Sequence, residues 1–322
     1  MDAALVYVIV SHRCQVKTKL SGGIVMKFKA LILLLFFFFA CSVKETDKSS
    51  RTLEPEISAT PSWVELNVKG SNLDFNVVDE FLKEKGLPNK FEISLVTSES
   101  EGKERIEKLE KILHSDDIQK DVVKFFLYNV LTDIYLRLSL YNPKPEYFAQ
   151  AEKYARYVID KYGDDERFRA YTSVTRDNLA YIYSLTGRFD EALRIWEDLI
   201  DKYSDIVESP DYGNWFGVQC LFSIFGALDR VCGDNFSDDR YTKSVSFLER
   251  ISSLRNDEVG LFADMLLYEY YFKSGKKDFA DKKFKLVETR IANYSSPSIH
   301  NFWKGIQVKV NRWESWKKAK GG

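Results

Sequence analysis

Between residues 178 and 203, NLAYIYSLTGRFDEALRIWEDLIDKY, apolar side chains recur every three or four positions. After Gly187 they fall at Phe189, Ala192, Leu193, Trp196, Leu199, Ile200 and Tyr203, which is one face of an α-helix. Before Gly187, Leu179, Ile182, Tyr183 and Leu185 trace a shorter face of the same period. Gly187 stands where the first helix has to stop, because glycine enters the left-handed conformation without steric cost. Ala192, one turn into the second helix, is small enough to let two antiparallel helices approach. The stretch predicts a helical hairpin that cannot bury its apolar face alone and needs neighbours of its own kind.

The same rhythm continues on both sides. Val122, Phe125, Phe126, Asn129, Val130, Ile134 and Leu138 predict one long helix from residue 118, broken by Pro143 and Pro145. Residues 147–162 then repeat the second-helix pattern, with Ala151 in the small position. Their end, IDKYGDD, echoes IDKYSDI at 200–206. Residues 215–231 and 242–254 predict a third pair with Ser244 in the small position, and residues 259–274 and 277–294 a fourth with Ala280 there. Upstream, residues 76–84 carry a helical set stopped by Gly86 and Pro88. Residues 63–68 and 91–96 alternate and predict short extended pieces, and residues 99–114 predict a charged helix. Ser115, Asp116 and Asp117 are candidate caps for the helix that follows. Residues 298–320, with Phe302, Trp303, Ile306, Val310 and Trp313 and a basic end, predict a terminal helix that closes the stack. The alternative for those residues is an amphipathic helix facing a membrane.

Leu179, Ala180, Tyr183, Gly187, Phe189, Ala192 and Trp196 match the tetratricopeptide repeat in spacing and type, and the stretch resembles that family. The resemblance implies an all-α fold: a right-handed superhelical stack of helical hairpins over residues 118–296. An irregular N-terminal cap at 63–117 and a C-terminal capping helix at 297–322 complete it. Gly187, Ala151, Ala192 and Ala280 define the repeats. The spacings between the small residues Ala151, Ala192, Ser244 and Ala280 all exceed the roughly 34 residues of the ideal repeat, so helices or loops are longer and curvature is irregular. Gly163 and Ser204 stand where the family often has proline. In this family the groove is lined by the first helices of successive repeats, which implies Asn129, Asp133, Asn178, Tyr181 and Gln219 as partner-binding candidates, Asn or Asp there clamping an extended peptide.

The N-terminus changes the picture of where such a stack would work. Residues 26–29 (MKFK) precede an apolar run over residues 30–40, ALILLLFFFFA, and then Cys41. The run has the length of a secretory signal's hydrophobic region and falls short of the about 20 residues a spanning helix needs. With a small residue before the cysteine, the stretch resembles a bacterial lipoprotein signal, implying cleavage after Ala40 and acylation of Cys41. Phe38 departs from the aliphatic residue usual in that signal. Residues 1–25 read as an extension upstream of the true start at Met26. Residues 42–62, rich in Ser, Thr, Lys and Glu, read as a disordered tether. Ser42, following the cysteine, implies by resemblance to lipoprotein sorting the periplasmic side of the outer membrane over the inner membrane.

Charge and chemistry narrow the function. The chain of 322 residues carries 47 Lys and Arg against 48 Asp and Glu, a net −1, with 45% hydrophobic and 15% aromatic residues. Without its basic leader it is more acidic still, and nucleic-acid binding, which needs a basic excess, is not expected. Seven prolines and 16 glycines favour helix over a turn-rich β fold. Cys220 and Cys232 lie in one helical run, separated by about 18 Å of helix, too far for a disulfide, and read as buried small hydrophobes. His114 and His300 are in separate segments, so no His-rich metal site assembles. Glycine-rich phosphate loops, GxSxG and HExxH are missing. Asp164–Glu166 and Asp238–Asp239 read as caps or solvated faces. Tyr128, Tyr135, Tyr181, Tyr183, Trp196, Trp215 and Phe222, at helical spacing, read as mostly core.

These readings converge on a membrane-anchored scaffold lipoprotein of the bacterial cell envelope, non-catalytic and without cofactor or metal, that binds a protein partner. The alternative is a small-ligand-binding or transporter-accessory protein, which an enclosed aromatic-lined cavity for an apolar ligand would favour.

Overall fold

A computed structural model describes residues 73–319 apart from 116–117, 119, 205–207 and 210–212. The candidate signal, Cys41, the tether and the alternating 63–68 segment lie outside the described residues. Within them the chain is all-helical save for one minimal strand pair. The helices are α1 (Asn76–Glu84), α2 (Glu99–Leu113), α3 (Asp121–Tyr141), α4 (Pro145–Tyr162), α5 (Arg169–Leu185) and α6 (Phe189–Tyr203). After them come α7 (Trp215–Val231), α8 (Asp239–Leu254), α9 (Glu258–Lys273), α10 (Lys277–Ile291) and α11 (Pro297–Ala319). Strand β1 (Glu208–Ser209) pairs antiparallel with β2 (Gly213–Asn214) in the α6–α7 connection. No helix among the described residues is long and apolar enough to cross a membrane.

Packing follows the amphipathic faces. α3 lies along α4, α5 along α6, and α9 along α10, and each second helix also meets the next first helix, as α4 does α5 and α6 does α7. First helices touch in series too: α3 with α5, α5 with α7, α7 with α9, α9 with α11. The consequence is seen in burial. α3 and α9 are buried nearly all round, whereas α10 buries only Ala280, Val287 and Ile291. Each large apolar side chain so removed from water contributes about 1.5–3 kcal/mol. Trp196, Leu199 and Ile200 of α6 are completely buried, as are the small residues Ala151, Ala192 and Ala280.

The turns follow from their residues. Gly187 (φ +87°) and Gly275 (φ +80°) take the left-handed conformation in the α5–α6 and α9–α10 turns. Pro145, which ends the preceding helical pattern, is the first residue of α4, where its missing N–H costs nothing. Gly163 and Ser204 are the residues that close α4 and α6. Asp238 caps α8, accepting from the Arg240 amide at 2.9 Å, and Asp165 binds the Arg167 amide at 3.0 Å.

Four expectations need correction. Residues 91–96 do not form an extended piece. The Glu92 and Ile93 amides bond back to the Asn89 carbonyl, coiling the segment so that Ile93, Ser94 and Val96 all face inward. Ser115 does not cap α3, which starts at Asp121 after Lys120; its hydroxyl donates backward to the Ile112 carbonyl at 2.7 Å. The effective side-chain cap lies at the other end of α2, where Ser98 accepts from the Glu101 amide.

The third pair is also not the simple hairpin its pattern implies. α8 lies mainly against α9 and touches α7 only slightly. The connecting loop turns inward instead: Phe236 packs on Tyr241, Tyr270 and Trp313, and Tyr241 donates to the Gly233 carbonyl at 2.6 Å. The aromatic cluster so formed joins the loop to α8, α9 and α11. The fourth correction is Cys232, which is only partly buried, just beyond the end of α7. Cys220 is fully buried, and both are free thiols.

α11 turns Ile299, Trp303, Ile306 and Val310 inward onto α9. Glu269 of α9 holds it there: this carboxylate, 5% exposed, receives Lys273 at 2.5 Å and Lys309 of α11 at 2.7 Å. Burial alone would raise the Glu269 pKa, but Lys309 and Lys273 outweigh it and the value is lowered.

Candidate functional site

Among the residues of α5 and α7 that stay partly open, some recur at helical spacing. On α5 one such set is Asn178, Tyr181 and Leu185, with Arg169, Ala170 and Arg176 open elsewhere on the helix; on α7 it is Gln219, Phe222, Ser223 and Gly226, then the exposed Arg230, with Phe225, Asp229 and Val231 open besides. Residues three and four apart share one helix face, so each set forms a strip, and the two helices pack against each other. Phe302 of α11 adjoins the second strip, its ring 5.2 Å from that of Phe222, and both rings pack on Phe262 of α9.

The five candidate binding residues fall into two groups. Asn178, Tyr181 and Gln219 are on these strips, half-buried. Asn129 and Asp133 of α3 are buried, and their polar atoms join α3 to α5. Asn129 donates to the Phe125 carbonyl at 2.9 Å and accepts from Thr175 at 2.6 Å. Asp133 accepts from Asn178 at 3.0 Å, and it also favours the charge of Arg137 one turn on, whose pKa burial lowers. Asn178 thus has a place in both groups: open to the surface and tied to α3. The Tyr181 phenol is raised by burial and drawn back by Arg230 of α7.

One residue at this junction escaped the sequence reading. Asp177 of α5 is 5% exposed. Its Oδ1 accepts from the Trp196 indole N–H of α6 at 2.7 Å, and its Oδ2 from the Ser223 hydroxyl of α7 at 3.0 Å. One carboxyl therefore bonds three helices. No lysine or arginine among the described residues forms an ion pair with it. Burial pushes its pKa up to about 6, against the opposing pull of the Trp196 and Ser223 bonds. Periodicity gives no signal for it: Ser173, Val174, Ala180 and Tyr181, three and four places away, make a mixed face on which an acidic residue passes for a surface position.

Two further polar clusters are structural in form. Asp264 of α9, fully buried, receives Ser252 of α8 at 2.5 Å and Lys283 and Arg290 of α10 at 2.6 and 2.5 Å. Glu110 of α2 accepts from Tyr135 at 3.1 Å and Tyr154 at 2.7 Å. Beside it lies an open depression of about 470 Å³ whose lining includes Lys103, Glu107, Lys111, His114, Tyr135 and Tyr147. The two histidines serve locally, His114 against the Glu110 carbonyl and His300 against that of Tyr294. Among the described residues no group of three or more His, Cys, Asp or Glu is placed to hold a metal ion.

No family model matches the chain, and no curated protein or solved structure gives a significant match.

Proposed function

We propose that this chain is a non-catalytic scaffold of tetratricopeptide-like hairpins in a right-handed superhelical stack, held in the bacterial cell envelope through an acylated Cys41, and that it binds a protein partner. In this reading the first helices line the concave side, and the partner lies across the strips of α5 and α7. The observation that carries it is the series of first helices: α3, α5, α7 and α9 touch one after another, leaving polar and aromatic groups of mixed type open along α5 and α7. An extended peptide needs such a surface, with donors and acceptors for its backbone and rings for its side chains.

The small-ligand reading ranks second. The depression beside Glu110 is open to solvent and carries lysines and carboxylates, whereas an apolar ligand calls for an enclosed aromatic cavity.

The test is site-specific photo-crosslinking in intact cells. A photoreactive residue at Gln219 should capture one discrete protein, and the same residue at Lys285 on the exposed side of α10 should not. Substituting Phe222 and Tyr181 by alanine should then abolish the Gln219 product. Equal capture from both positions, or capture at Gln219 that survives the double substitution, defeats the proposal. Loss of membrane association on Cys41→Ser tests the anchor separately.

A further inference from the structure

Asp177 lies beneath the proposed binding strip, and its hydrogen bonds depend on its protonation. As a carboxylate it only accepts, so both partners must donate: the Trp196 indole, which can do nothing else, and the Ser223 hydroxyl, which can do either. The neighbourhood supplies little else. From α7 the buried Cys220 thiol faces it, and ionised Asp177 helps to keep that thiol protonated. On its own helix Tyr181 feels its charge, but the Tyr181 hydroxyl is engaged by Arg230. Arg176, the preceding residue, is turned to the end of α4 beside Gly163. On α4, Arg156 and Glu152 face Tyr183 instead. From α3, Asn129 and Asp133 bond to Thr175 and Asn178.

We infer that Asp177 is a proton-operated latch: on gaining a proton its carboxyl reverses the Ser223 hydrogen bond and turns the Ser223 hydroxyl hydrogen outward to the open strip of α7. The step is a single proton taken from water by Oδ2, the oxygen that faces Ser223. Oδ1 keeps its bond from Trp196. Oδ2–H then donates to Ser223 Oγ, and the serine hydrogen, displaced from its acceptor, rotates to the surface between Gln219 and Phe222. Ionised, the strip presents Ser223 as an acceptor; protonated, as a donor. The junction of α5, α6 and α7 also exchanges a charged, desolvated group for a neutral one. Burial, with no paired cation among the described residues, places this change in the range where small shifts of external pH matter. The latch adds regulation to the binding surface proposed above, but it operates in the chain alone.

The experiment therefore uses the full chain without a partner, labelled with ¹⁵N. The Trp196 indole resonance is assigned by its loss in Trp196→Phe and followed from about pH 4.5 to pH 8. In the wild type it should move through a single titration step, and amide exchange over α7, corrected for intrinsic rates and taken relative to α9 so that any change in global stability cancels, should change by roughly threefold or more across the same interval. In Asp177→Asn both responses should vanish. In Ser223→Ala the indole should still titrate while α7 exchange stops responding, because the carboxyl remains and its link to α7 does not. An indole step of equal size in Asp177→Asn, or α7 exchange that responds to pH alike in wild type and Ser223→Ala, overturns the latch. Should Asp177→Asn fail to fold, the Ser223→Ala comparison decides alone. Failure of the crosslinking test leaves these measurements untouched, so the two proposals fall separately.

Discussion

The Trp196 indole N–H reaches Asp177 Oδ1 at 2.7 Å, with tryptophan fully buried and aspartate nearly so. Two residues 19 apart in sequence, on neighbouring helices, thus share a bond closed off from water. Its carboxyl has a pKa of about 6 in the fold against an ordinary 3.8. Between these values the folded chain holds a proton that the unfolded chain has lost. Stability therefore falls as pH rises from about 4 to 6 and stays lowered above that, by about 3 kcal/mol at most. Asp177→Asn removes this slope: in urea titrations the variant should lose less stability than wild type between pH 4.5 and pH 7.5, the contrast reading Asp177 alone.

Asp264 makes the opposite case, a buried carboxylate answered by two cations. Asp264→Asn keeps the shape but leaves Lys283 and Arg290 without the charge they surround. The expected loss is about 3–5 kcal/mol, measured by chemical denaturation, with the wild-type helical signal retained before the transition. A loss below about 1 kcal/mol would show that α8, α9 and α10 do not depend on this knot.

Gly187 is held at φ +87° with open space where a side chain would point. Gly187→Ala therefore tests backbone strain without any clash. It should cost about 1–2 kcal/mol, visible as a lowered melting temperature, and Gly187→Asn should cost less because asparagine tolerates this region better.

Ser244 occupies the small position of α8, and its hydroxyl is buried with no hydrogen-bond partner among the described residues. Ser244→Ala keeps the close packing and removes the unsatisfied group. Stability should rise by about 1 kcal/mol, and a decrease would mean that the hydroxyl has a partner in solution.

The Gly187 hinge, the alanines at 151, 192 and 280, the breaks at Pro143 and Pro145 and the spans of most helices were legible in the order of residues. Each depends on groups within a turn or two of chain: a left-handed φ, a missing N–H, an apolar side chain every third or fourth place. Three of the five binding candidates implied by the family resemblance, Asn178, Tyr181 and Gln219, lie half-buried on the open strips. Asn129 and Asp133, implied by the same resemblance, are buried, because whether an inward polar residue meets solvent or another helix depends on what packs over it.

Tertiary structure alone decided the rest. It put α8 mainly against α9 and packed Phe236 on Tyr270 and Trp313, far along the chain. It paired Asp264 with Arg290 and Asp177 with Ser223, bonds between helices that local spacing cannot register. A helix's own sequence states which face is apolar, while the partner of each buried charge is settled only when separate helices meet and every polar group taken out of water must find an answer.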